Sequence, residues 1–168
     1  MLIQFFLAFT LLTNPSDICF STFRDNDPEN FSRYCLVTAL FYTEAQNWQK
    51  SSDLLLQLQG YGALDVGVII PFLSVENDDF RSSMAELLGG AGNKKAVKPL
   101  IKLLEKETNA DVKISVIEAL GKLKDKRSIK ILEKQLVSEL WGERMSAALS
   151  LENITGKKYE YGNPPPRR

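Results

Sequence analysis

The chain has 168 residues, 44% hydrophobic and 25% charged, with 21 basic and 21 acidic side chains, two cysteines and no histidine. This is the balance of a globular domain with its own core, not of a collagen-like, low-complexity or disulfide-scaffold chain. Without histidine the commonest general base near neutral pH and the commonest metal ligand are missing, and two cysteines alone cannot build a structural zinc site.

The first element is the apolar run Leu2 to Leu12 in MLIQFFLAFTLLTNPSDICFS. It falls well short of the roughly 20 residues a membrane helix needs. It suits the apolar region of a signal peptide, with Pro15 breaking the helix and Cys19 and Ser21 as small residues before a cleavage site, although no Lys or Arg precedes it. Residues 1–21 are therefore expected to be an export signal, making the mature protein periplasmic or secreted and without a transmembrane span. If the run is retained, it is an N-terminal helix of a cytoplasmic protein. Cleavage would leave Cys35, in an apolar helical pattern, as a buried thiol.

Beyond residue 21 the spacing predicts helical pairs: 28–43 with 46–58, 63–74 with 78–90, 94–107 with 110–124, and 127–139 with 141–155. Asp27-Pro28 opens the first as N-cap and first helical residue. Asn47, Asp78 or Asp79, and Asp111 stand where a side-chain oxygen would cap the second helix of a pair. Gly60, Gly62, GGAG (89–92) and Gly156 are placed to end helices through left-handed backbone. VGVII (66–70) is the best strand run, but its place in the pattern favours helix.

The pairs repeat. DFRSSMAELLGGA from Asp79 and DVKISVIEALGKL from Asp111 match at an offset of 32: Asp79, Arg81, Ser83, Glu86, Leu88 and Gly89 meet Asp111, Lys113, Ser115, Glu118, Leu120 and Gly121. At an offset of 31, Lys113, Ser115, Leu120 and Leu123 meet Arg144, Ser146, Leu151 and Ile154. Residues 22–62 are a degenerate first copy that would cap one end, 63–161 carry the repeats, and 162–168 are a Pro/Arg tail expected to be disordered, with Tyr159 and Tyr161 covering the last helix. In AVKPLIKLLEKE, Val97, Leu100, Ile101 and Leu104 form one helical face and Lys98, Lys102 and Lys106 the other. In 111–123, Val112, Val116, Ala119, Leu120 and Leu123 form a face, Ile114 and Ile117 its flank, and Asp111, Ser115, Glu118 and Lys122 the remaining stripe. A helix apolar over most of its girth lies between neighbours. The fold expected is all-α, a solenoid of about four stacked antiparallel helix pairs.

With D-apolar-R/K…A-L-G in the second helix and A-V-x-P-L-I-x-L-L in the first, the chain resembles HEAT repeats, specifically the short bacterial type of the phycobilisome-lyase-like group. The resemblance implies a polar ladder between repeats in which Asp79 pairs with Arg81 and Asp111 with Lys113. Arg144 has no such Asp, since Gly142 and Glu143 precede it.

Nothing in the sequence points to catalysis. GGAGNKK (89–95) lacks the phosphate-loop spacing and follows a helix, ENDD (76–79) lacks the rest of a calcium loop, and no nucleophile elbow occurs. Asn30-Phe31-Ser32 and Asn153-Ile154-Thr155 match the N-glycosylation pattern, the second within a predicted helix. Residues 22–93 carry four bases and ten acids, and 94–168 seventeen bases and ten acids. The expected function is a scaffold without catalysis, cofactor or metal, which takes a protein or peptide on its concave face. The contact stripe would be Arg81, Ser83 and Glu86; Lys113, Ser115, Glu118 and Lys122; and Arg144 with Ser146. The alternative is polyanion or nucleic-acid binding through the basic C-terminal half.

Overall fold

The computed structural model describes Gln49 and residues 66–164. The expectations for residues 1–21, for the pair 28–43 and 46–58, and for Asn30, Cys35, Gly60, Gly62 and 165–168 lie outside the described residues. The chain divides into two compact units, Met1–Leu64 and Asp65–Arg168; the second is described below.

Every described element is helical. Helix α1 (Val66–Ile69) runs into a 3-10 helix, Ile70–Ser74, with Pro71 near its start, where the missing N–H costs nothing. Then come α2 (Asp78–Gly90), α3 (Val97–Leu104), α4 (Ala110–Leu123), α5 (Ile129–Gln135) and α6 (Trp141–Thr155). A 3-10 turn opens α3 at Lys94–Ala96 and another opens α5 at Lys126–Ser128. VGVII is thus helical, and within residues 66–164 the second, third and fourth predicted pairs are present.

The caps differ from the sequence expectation by one or two residues. Asn77 accepts from the Phe80 N–H, and Asn109 from those of Asp111 and Val112. Both take extended backbone just outside the helix, the geometry a capping oxygen needs. Asp78, Asp79 and Asp111 fall in the first turns instead, where their charge meets the positive end of the helix dipole. Asp125 caps the second 3-10 turn through the Arg127 N–H and also takes the Arg127 guanidinium at 2.8 and 2.9 Å. That guanidinium and the backbone N–H hold the Asp125 carboxyl well below the usual carboxylate range. A carboxyl held low stabilises the fold above its unfolded value of about 4 and loses that contribution as pH falls below it. Asp125→Asn is therefore expected to flatten the acid limb of the stability curve below about pH 4, read as denaturant midpoint against pH.

Two glycines do something other than end a helix. Helix α2 continues through Gly89 and Gly90, and the left-handed turn falls to Gly92, at φ 67°. Helix α4 continues past Gly121 to Leu123, and Lys124 takes the left-handed position. A Cβ on Gly89 would lie 2.7 Å from the Cα of Ala119, and one on Gly121 2.9 Å from the Cα of Ser150. The glycine of each A-L-G-type segment is where the next repeat's second helix comes into backbone contact.

Those contacts set the layers. Helices α2, α4 and α6 lie side by side, and the first helices (the 3-10 segment 70–74, α3 and α5) pack against them. The core is most of what the periodicity predicted, but Ile101, expected on the buried face of α3, is half-buried, and Ile117, expected on the flank of α4, is fully buried. Val97, Leu100 and Leu104 are buried from α3, and Val112, Val116, Ile117, Ala119, Leu120 and Leu123 from α4. Phe80, Met84, Leu87 and Leu88 join them from α2, and Ala147, Ala148 and Leu151 from α6. Phe72 meets Phe80 edge-to-face at 5.8 Å, a geometry aromatic rings favour.

Candidate functional site

The stripe along α2, α4 and α6 is where the sequence places the contact residues. Each of these helices is pinned by its neighbours on the core side, so its remaining face runs on from one repeat to the next. The structure divides the nine expected residues into two sets. Glu86, Glu118 and Lys122 are exposed, as are Asp79 and Asp111 beside them. Ser115 and Ser146 are buried, at 8% and 3% exposure, and Ser83, Arg81, Lys113 and Arg144 are half-buried.

The serines are used between repeats. Ser82 and Ser115 share a hydrogen bond of 2.6 Å, and Ser115 Oγ lies 3.4 Å from Glu86 Oε1. One repeat on, Ser146 donates to Glu118 Oε1 at 3.2 Å. A serine at the repeated position thus donates back to the glutamate of the preceding repeat. Ser115 and Ser146, expected in the contact stripe, are thus taken up between repeats, because the helices approach so closely that a short hydroxyl is what fits between them. Ser83 donates to the Asp79 carbonyl of its own helix.

The bases are also engaged within the fold, but with other acids than the resemblance implied. Arg81 donates through Nη1 to the carbonyls of Val75 and Glu76, and through Nε and Nη2 to both oxygens of Glu107 at 2.9 and 3.0 Å. It also pairs with Asp78, whose other oxygen accepts from Asn109 of the next repeat. Hydrogen bonding to Glu107 raises the Arg81 pKa further. Burial pushes the Glu107 carboxyl up, but the Arg81 side chain and the N–H groups of Asn109 and Thr108 outweigh it and leave it below the ordinary range. Lys113 faces the buried Glu143 at 3.5 Å. The ladder therefore runs through Asp78, Glu107 and Glu143, and Asp79 and Asp111 stay on the surface.

Arg144 repeats the Arg81 geometry on α6. Its Nη1 donates to the carbonyls of Ser138 and Glu139, the same five- and six-residue steps back that Arg81 makes. Its Nε donates to the Tyr161 carbonyl. Trp141 donates to the Gly162 carbonyl and meets Tyr161 edge-to-face at 6.2 Å. The segment after α6 thus covers the last helix through Tyr161, as its aromatics suggested, and a tail carbonyl takes the place of the next repeat's acid.

What the stripe offers solvent is graded. Asp79, Glu86, Asp111 and Glu118 carry negative charge along α2 and α4, with Lys122 at the end of α4. On α6 the position after Glu86 and Glu118 is the exposed Leu149, with half-buried Met145 one turn before it. Sequence reasoning missed Leu149 because it was aligned for identities, and the change from Glu to Leu at one register is the signal it passed over. Among the described residues no group of side chains could hold a metal ion, and no helix is long and apolar enough to cross a membrane.

A family model described as HEAT repeats matches residues 68–152, just over half of the chain. Among curated proteins the chain has no match. The chain belongs to the HEAT-repeat family.

Proposed function

We propose that this HEAT-repeat chain is a non-catalytic scaffold that takes a protein segment on the face formed by α2, α4 and α6. The observation that carries this reading is the pair of glycine contacts. Gly89 against Ala119 and Gly121 against Ser150 bring the second helices to backbone contact. A stack drawn together in one layer curves toward that layer and presents it as the concave surface of a solenoid. The side chains left exposed there are carboxylates at Asp79, Glu86, Asp111 and Glu118, a single lysine at Lys122, and an apolar end at Leu149. A basic segment with an apolar residue toward one end complements that surface, by charge-assisted hydrogen bonds at one end and burial at the other. Arg81, Lys113, Arg144, Ser115 and Ser146 support the face from within.

The test is a capture experiment from the native host with the full chain as bait. Glu86→Lys with Glu118→Lys is expected to release the partner. Because the two glutamates also accept from the buried Ser115 and Ser146, a stability loss of about 1–3 kcal/mol is expected with it, and a cooperative melting transition shows that the variant is folded. Lys130→Glu with Lys134→Glu, exposed on the first-helix side, is expected to retain it. Retention by the first variant and release by the second would overturn the assignment of the face.

A further inference from the structure

The layer of first helices carries a furrow of its own. Between the 3-10 segment Ile70–Ser74 and α3 lies a groove of about 690 Å³, within the roughly 300–1,000 Å³ range of ligand pockets. Ile70, Leu73, Pro99 and Leu103 supply its apolar surface. Lys98, Lys102 and Lys106 also line it. The first two stand one helical turn apart, about 6 Å along α3, and the third lies in the turn that follows. All three are exposed. The ion pairs among the described residues join Arg81 to Asp78 and Glu107, Lys113 to Glu143, and Arg127 to Asp125, and include none of the three. Of the carboxylates lining the groove, Glu107 is consumed by Arg81, which leaves Glu76 against three lysines.

We infer that this groove is a second docking surface, whose occupant is an acidic amphipathic helix of a partner protein. Its apolar side chains would lie on Leu73, Pro99 and Leu103, and its Asp or Glu residues along the lysine edge. The inference is carried by charge complementarity joined to an apolar floor. A single-stranded nucleic acid would satisfy the lysines but find no aromatic ring among the lining residues on which to stack its bases. A helix laid in a groove uses both features at once, with apolar anchors one turn apart and acids on the flank. The lysine side chains extend the floor, since their methylene stems are apolar while their ammonium groups reach water.

The test is selection of a phage-displayed random-peptide library on the full chain. Enriched peptides are expected to carry apolar residues at i, i+4 spacing flanked by Asp or Glu. A synthetic peptide of the leading sequence is then titrated by fluorescence anisotropy. Lys98→Glu with Lys102→Glu is expected to weaken it about tenfold or more, a change of about 1.4 kcal/mol or more, and binding is expected to fall with salt. Leu103→Glu keeps the lysines and is expected to weaken it as well. The Glu86→Lys, Glu118→Lys variant leaves this binding unchanged, so the result is independent of the face proposed above. Enrichment without acidic flanks, affinity indifferent to the lysine reversal, or tighter lysine-dependent binding of a single-stranded oligonucleotide or of anionic vesicles than of the peptide would each overturn the inference.

Discussion

Replacing Leu120 by alanine is expected to lower the unfolding free energy by about 2–5 kcal/mol, the cost of truncating a buried leucine and leaving a cavity. Leu120 is fully buried on α4, the helix that packs against α2, α3 and α6. Its neighbours in sequence fix how far the structure can relax. Ala119 is in contact with Gly89 on one side and Gly121 with Ser150 on the other, so the backbone cannot easily shift to fill the space. Stability in a stacked array is a sum of repeat and interface contributions, and Leu120 belongs to the central described repeat. For a unit of this size the loss corresponds to a fall in melting temperature of roughly 10 °C or more. Calorimetry of the purified chain reads it, and a melting temperature within about a degree of the parent would refute the central place given to Leu120.

The second large effect belongs to Lys113. Glu143 is almost fully buried at the start of α6. Its Oε2 accepts from Ser138 at 2.6 Å, but its Oε1 has no hydrogen bond and faces the Lys113 ammonium at 3.5 Å. Lys113→Met removes the compensating charge and keeps most of the apolar stem. The carboxylate is then buried without a counter-charge, and such losses cost about 3–5 kcal/mol. Because the Lys113 side chain is about a quarter exposed, water can reach the gap, and the low end, about 3 kcal/mol, is expected. Adding Glu143→Gln should recover most of it, since a neutral amide at that place no longer requires the lysine. A urea-denaturation cycle over the two single variants and the double measures the coupling. Strict additivity would show that the pair does not act as one.

The repeat register, the helical class and the core residues of α3 and α4 were legible in the sequence for one reason. A helix that repeats its neighbours' pattern must bury the same positions, so the spacing of Val97, Leu100 and Leu104 or of Val116, Leu120 and Leu123 states directly which way each faces. The capping region was legible to within a residue or two, because both asparagine and aspartate can cap and only backbone geometry decides which does. The recurrence of Gly89 and Gly121 was visible too, but Gly89 was read, with the rest of GGAG, as helix termination, and Gly121 only as a residue past which the helix can continue. A glycine that ends a helix and one that admits a neighbouring backbone leave the same letter, and only the packed helices show that the second applies. The recurring serines carried the same ambiguity. Ser115 and Ser146 read as surface because they are small and polar, whereas the close approach buries them against Glu86 and Glu118 of the preceding repeats. Tertiary structure alone decided which acid each base would meet. Arg81 took Glu107 and Lys113 took Glu143 because ion pairing is set by distances across repeats, and those distances follow from how closely the glycines let the helices approach.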